Sequence, residues 1–152
     1  MVGNSLSNQE LARKLLTAGG AAALATIGPS GGPFASHVIT APSADGSPLM
    51  LLSRLAEHTK NLEHDPRASL LFVREPAAGE EAMTAMRLTL IGRCISDADP
   101  QSRRIYISRH PDAARYADFT DFSIYRFAID KGHLVAGFGR IVGLSREELL
   151  NP

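Results

Sequence analysis

The sequence has few of the residues that build metal centres and covalent cross-links. Cys94 is its only cysteine, which excludes an internal disulfide framework and any zinc or iron–sulfur site with several cysteines. No His-Glu-x-x-His motif or similar histidine pair occurs either. The composition therefore predicts no metal site and fits a reducing compartment.

An excess of one charge is also lacking, because 16 basic residues balance 16 acidic ones. No net field draws the chain onto nucleic acid or an anionic membrane. No apolar run approaches the roughly 20 residues of a membrane-spanning helix. Residues 1–10 show no basic segment followed by an apolar stretch, as a signal peptide would. We expect a cytoplasmic protein that binds neither nucleic acid nor membrane.

Motifs of the common cofactor-binding and hydrolase folds are missing as well. No Gly-x-Gly-x-x-Gly follows a predicted strand, and no serine lies in a Gly-x-Ser-x-Gly elbow. Asp97, Asp99 and Asp112 have the positions of helix caps rather than of a catalytic carboxylate pair. The pattern leaves the catalytic residues unknown.

The sequence does contain a succession of short apolar segments separated by turns. The predicted strands are 21–27, 34–40, 49–52, 68–73, 87–91, 122–129 and 133–142. The predicted helices are 8–18, 55–64 and 100–109, with short helical pieces at 112–117 and after residue 145. The length predicts a single domain over residues 1–152. Helices inserted singly between strands favour an antiparallel barrel with helical decoration over a parallel doubly wound sheet.

The segment from Leu51 to Leu62 is the most informative about chemistry. Its strand delivers Ser53 and Arg54 to the start of a helix that carries His58 and Thr59. Backbone N–H groups at a helix N-terminus favour an anion, and hydroxyl and arginine donors suit a phosphate. The segment therefore suggests a phosphate site. A simple helix cap at Ser53 with a solvated Arg54 is the alternative.

Two further features of the sequence each allow two interpretations. Two glycines flank Phe138, so the backbone could approach a flat ligand there while Arg140 faces its polar edge. A glycine-rich bulge that closes a barrel, with Phe138 in the core, explains the same pattern. His37 lies within a predicted strand and is more typical of a structural residue than of a catalytic base.

Together these segments resemble the FMN-binding split-barrel family related to pyridoxamine 5′-phosphate oxidase. The resemblance runs from the helix at Leu11 to about Val142, and its best blocks are 53–72 and 87–92. The block from Gly137 to Arg140 is most similar to the haem-utilisation branch of that family. The resemblance implies a mainly β (α+β) fold, a six-stranded antiparallel split β-barrel with a few flanking helices. It also implies a homodimer that holds FMN between its subunits.

The resemblance also assigns roles to particular residues. His58 stands where the family has a basic residue that grips the phosphate. In the oxidase a lysine, a tyrosine, an arginine and a serine hold the substrate phosphate, and the matching positions here are Thr40, Tyr106, His110 and Ala114. Only the tyrosine is kept, so vitamin B6 phosphate is not an expected substrate. The implied cofactor-binding residues are Ser36, His37, Ser53, Arg54, His58, Thr59 and Arg87, and the implied substrate-facing residues are Tyr106, Phe138 and Arg140.

The leading functional hypothesis is an FMN-dependent oxidoreductase that acts on an unidentified small molecule. The flavin would supply the redox chemistry, which agrees with the lack of a catalytic cluster in the sequence. Two alternatives remain open. One is a haem-binding or haem-degrading protein on the same barrel, and the other is a non-enzymatic flavin-binding module.

Overall fold

The structure, a computed structural model, describes residues 5–137 and 139–151. In these residues the chain forms seven strands and four α-helices, with short 3₁₀ turns at Ala82–Thr84 and Pro111–Arg115. The strands are β1 (Gly20–Ile27), β2 (Pro33–Pro42), β3 (Pro48–Ser53), β4 (Arg67–Val73), β5 (Arg87–Ser96), β6 (Phe122–Val135) and β7 (Ile141–Ser145). The helices are α1 (Asn8–Ala18), α2 (Glu57–His64), α3 (Pro100–Arg109) and α4 (Arg146–Leu149). None of the helices among these residues is long and apolar enough to cross a membrane.

Six of the strands close into a barrel. Neighbouring strands pair antiparallel in the order β3-β2-β1-β4-β5-β6, and β6 pairs back onto β3 from Leu49–Arg126 to Ser53–Phe122. β7 adds a seventh strand to the side of β6. The predicted mainly β fold, a six-stranded antiparallel barrel with flanking helices, is confirmed.

The core lies inside this barrel because alternate residues of each strand point inward. Leu24, Leu70, Leu88 and Phe127 are fully or almost fully buried there, one from each of four strands. α2 packs against β1 and β2, and its buried Asn61 donates a hydrogen bond to Thr26 Oγ1 at 3.0 Å. The helix that carries His58 is therefore held firmly against the barrel.

The largest difference from the predicted elements is in β6. The pattern predicted two strands, 122–129 and 133–142, whereas the structure has one strand that continues to Val135. Gly132 does not make a turn, since it pairs with β5 and β7, and a Cβ there would lie 2.8 Å from Leu149 Cδ1. The turn comes later, at Gly137 and Gly139, whose φ angles are +98° and +76°.

Candidate functional site

A cleft of about 380 Å³ opens between β2, β3, α2 and α3. Its polar lining groups are His37, Ser53 and His58. The rest of the wall is apolar or aromatic and consists of Val38, Ile39, Leu51, Leu52, Ala56, Tyr106, Tyr116 and Phe122. A few polar groups in a mostly apolar wall are typical of small-molecule sites. We call this space the histidine cleft.

A second cleft of about 370 Å³ adjoins the first on the outer surface of β1, β2 and β4. Its small side chains are mostly alanines of β1, which leave a shallow groove between bulkier neighbours such as Leu71 and Val73. Ser36 and His37 also line it. Because His37 lines both clefts, it marks the place where they meet.

His58 has a defined environment in the histidine cleft. Its ring is half-buried, and Nδ1 lies 2.9 Å from Ser36 Oγ. Burial lowers the pKa of His58 below its usual value, which favours the neutral imidazole. With the proton on Nδ1, that N–H donates to Ser36 and Nε2 keeps its lone pair. No described residue hydrogen-bonds to Nε2.

Ser53 is already engaged with the protein. Its hydroxyl donates to Asp121 Oδ2 at 3.1 Å and accepts from the Leu55 N–H at 3.1 Å. The Arg54 N–H donates to the carbonyl of the same Asp121 at 2.6 Å. The hydroxyl therefore faces a carboxylate, which repels a second anion. Asp121 lies 68 residues away along the chain, and no local pattern indicated this contact.

The other two residues of the predicted phosphate site are separated from each other. Thr59 is only 1% exposed, lines neither cleft, and its hydroxyl has no hydrogen-bond partner among the described residues. The Arg54 side chain is exposed and follows Ser53 in the chain. The structure thus brings Ser53 and His58 to the cleft and leaves Thr59 inside the packed interior.

Tyr106 lines the histidine cleft with its ring. Its hydroxyl donates to the Ile39 carbonyl at 3.1 Å, and burial raises the pKa of Tyr106 to about 12. The ring also lies 5.1 Å from that of His110, whose Nε2 is 2.8 Å from the Thr40 carbonyl. Tyr106 therefore supplies an apolar wall here, since its hydroxyl is bound to the backbone of β2.

The two remaining arginines named from the sequence lie elsewhere. Arg87 donates to backbone carbonyls of the segment that precedes β5. Arg140 donates to Asn8 Oδ1 at 2.7 Å and so fastens the turn after β6 to the start of α1. Neither arginine lines the two clefts. Phe138 lies outside the described residues.

The chain is similar to several known proteins. Residues 4–150 match the family model described as "CREG, beta-barrel". The non-canonical heme oxygenase HOZ of Arabidopsis thaliana, a chloroplastic protein, is 42% identical over 99 residues, which are 63% of this chain and 29% of that protein. Heme oxygenase HutZ of Vibrio cholerae is 24% identical over 136 residues, which are 84% of this chain and 76% of that protein.

A solved structure named for haem binding is also similar to this chain. The heme binding protein from Mycobacterium smegmatis superposes with a TM-score of 0.86 at 31% identity and covers 95% of this chain and 60% of that one. This chain thus corresponds to less than a third of the Arabidopsis protein and to three fifths of the mycobacterial one.

These relatives are named for haem, and they show that the predicted FMN cofactor is wrong. The similarity of the block from Gly137 to Arg140 to the haem-utilisation branch agrees with the haem named in these relatives. In the structure the Ser53 hydroxyl of the 53–59 segment faces Asp121, and its Thr59 hydroxyl is buried. The narrower resemblance to FMN-binding oxidases is not confirmed.

Proposed function

This chain belongs to the CREG β-barrel family, and we propose that it binds haem in the histidine cleft. The observation that carries the proposal is the combination of two imidazoles, His37 and His58, with an apolar and aromatic wall. The names of the relatives from three organisms support the same ligand.

The residues of the cleft fit haem chemically. Haem iron commonly takes an imidazole nitrogen as its axial ligand, and both histidines reach the same space. Tyr116 and Phe122, whose ring centroids lie 5.2 Å apart, offer aromatic surface to an apolar macrocycle. The exposed Arg54 beside the cleft would suit an anionic propionate. A bound haem would supply an iron centre able to activate oxygen, while these residues bind it, orient it and exclude water.

We extend the proposal to a homodimer, because the outer face of β1, β2, β4 and β5 is apolar. Ile39, Val73 and Ile91 are 38%, 49% and 41% exposed on this face. They lie around the small alanines of β1, and a contiguous apolar patch of this kind marks interaction surfaces. The second cleft opens on the same face, so a partner subunit would cover it and deepen the space beside His37.

Haem binding is tested by titrating the purified protein with ferric haem. We expect a saturable Soret band for the wild-type protein and for Ala78→Trp, which places a large ring on an exposed loop. Ala56→Trp fills the histidine cleft and should abolish the saturable band. Circular dichroism checks that both variants fold. A wild-type protein without saturable binding, or an Ala56→Trp variant that binds like the wild type, contradicts the proposed site.

Haem degradation is the second candidate, favoured by two relatives that are both named heme oxygenases. The loaded protein distinguishes it from binding alone when ascorbate is added in air with catalase present. A Soret band that decays with release of iron indicates degradation, and a stable band indicates a binding protein.

The homodimer is tested by placing a charge on the apolar outer face. Ala23 pairs with His37 of β2 and Leu71 of β4 in the middle of that face. We expect light scattering to show a dimer for the wild type and a monomer for Ala23→Glu, because a buried unpaired carboxylate opposes association. Ala78→Glu, the same change on an exposed loop, should remain dimeric. A monomeric wild-type protein would rule out this part of the proposal.

A further inference from the structure

The five histidines differ in their availability to a ligand in the histidine cleft. His64 and His133 are exposed and line neither cleft. The Nε2 of His110 is engaged by a backbone carbonyl of β2 at 2.8 Å. This leaves His37 and His58 as the histidines that reach the cleft.

The environments of these two rings are unequal. A histidine that binds a metal almost always hydrogen-bonds through its other ring nitrogen, which sets the tautomer and the ring orientation. His58 has this arrangement, with Nδ1 at 2.9 Å from Ser36 Oγ. His37 is exposed, and its ring has no hydrogen-bond partner among the described residues.

Ser36 is itself held in a rigid position. It lies within β2, where it pairs with Leu24 of β1, and Val38, two residues further along the strand, is buried in the core. His58 lies on α2, which packs against the same two strands. Both partners of the hydrogen bond are therefore on regular elements, so little ring freedom remains to be lost when a ligand binds.

We propose that His58 Nε2 is the axial ligand of the haem iron and that Ser36 is the residue that positions it. The inference rests on the proposed haem binding and names the iron ligand within that site. Leu52, Ala56 and Phe122 line the same cleft and would keep water from the iron–nitrogen bond. His37, at the junction of the two clefts, contributes to the wall rather than to the iron.

Ferric haem titrations of four single variants test the assignment. His58→Ala should lower the affinity more than about 100-fold and lose the spectrum of an imidazole-ligated haem, and added imidazole should restore that spectrum. Ser36→Ala should lower the affinity roughly 10- to 100-fold, the usual effect of removing a residue that orients a ligand. His37→Ala removes part of the cleft wall, so it should lower the affinity but keep the spectrum of an imidazole-ligated haem. His133→Ala, an exposed position that lines neither cleft, should keep the wild-type absorption and electron paramagnetic resonance spectra.

The outcomes separate this inference from the function on which it rests. If the wild-type protein forms no saturable complex, the proposed function fails. If the wild type binds but His58→Ala keeps its spectrum and affinity, or His37→Ala loses the imidazole signature instead, only the ligand assignment is overturned. Should His58→Ala not fold, His58→Gln gives the same readout, since its amide can still bond to Ser36 but cannot reproduce the imidazole spectrum.

Discussion

Replacing Gly92 by alanine is expected to destabilise the protein by about 3 kcal/mol or more. A Cβ at this position would lie 2.0 Å from the Ala128 carbonyl oxygen and 3.1 Å from the Asp130 nitrogen. Both atoms belong to the backbone of β6, so no side-chain rotation can relieve the contact. Urea unfolding followed by circular dichroism measures the decrease in the free energy of unfolding.

Gly92 lies at an irregularity that shapes the barrel. The register between β5 and β6 shifts there, from Ile91–Lys131 to Gly92–Ile129, so that Asp130 is an extra residue. A bulge bends its strand, and the part of β6 that precedes this bulge, residues 122–126, closes the barrel against β3. We therefore expect the Gly92→Ala protein that remains folded to bind haem more weakly as well.

Gly143→Ala provides the matched control. Gly143 also lies in a strand, but a Cβ there meets no atom within 4 Å and its φ is not positive. The free energy of unfolding of Gly143→Ala should stay within about 0.5 kcal/mol of the wild-type value. Equal unfolding midpoints for the two alanine variants would show that the backbone contact at Gly92 does not matter.

Arg126→Ala is expected to lower the free energy of unfolding by about 3 kcal/mol, the low end for breaking a buried ion pair, because the side chain is 29% exposed. Its Nε donates to Asp97 Oδ2 at 3.0 Å, and Nη1 donates to Ser43 Oγ at 3.0 Å. Asp45 and Ser102 complete the set of partners. The guanidinium thus joins the turn between β2 and β3 to β6 and to the start of α3.

The same arginine gives the protein a predictable response to acid. Burial alone would raise the pKa of Asp97 and Asp45, but hydrogen bonds and the Arg126 charge hold the pKa of both carboxyls below the ordinary 3.8. A carboxyl with a lowered folded-state pKa adds stability above its unfolded pKa and loses it as the pH falls through the folded value.

Wild-type stability should therefore fall as the pH drops below about 4, and Arg126→Ala should show a smaller fall in that range. Unfolding midpoints between neutral and strongly acidic pH give the comparison. Arg74→Ala, which removes an exposed pair with Glu80, should cost less than about 1 kcal/mol at neutral pH. If Arg126→Ala had the same free energy of unfolding at neutral pH as the wild type, and the same loss of it toward acidic pH, this role of Arg126 would be refuted.

Helices and strands with local causes could be predicted from the sequence. Helix α1 was predicted over the residues where it forms, and its cap is local: Ser7 Oγ accepts the Glu10 N–H at 3.2 Å and Glu10 accepts the Ser7 N–H at 2.7 Å, which is a capping box. Asp99 likewise caps α3. The break predicted after Ile129 was wrong because Gly132 serves packing against α4, a contact that adjacent residues do not reveal.

The candidate site was predictable only in part. Ser53 and His58 lie on one short segment, so local reasoning placed them together. The contact of His58 with Ser36 joins residues 22 apart, and that of Ser53 with Asp121 joins residues 68 apart. Such partners depend on strand register and barrel closure. The wrong FMN prediction came from the family resemblance. The contact of Ser53 with Asp121, which no local pattern shows, puts a carboxylate beside a hydroxyl that the resemblance assigns to the cofactor.

By itself the sequence determined the elements and the barrel class, because strand alternation, helix caps and turn glycines act over a few residues. Only the tertiary structure decided what the polar side chains do. In the folded protein, Ser36 is hydrogen-bonded to His58 and Ser53 to Asp121, and Thr59 is buried in the interior. A hydrogen bond between distant residues depends on how strands register and close, and a linear pattern carries no record of that pairing.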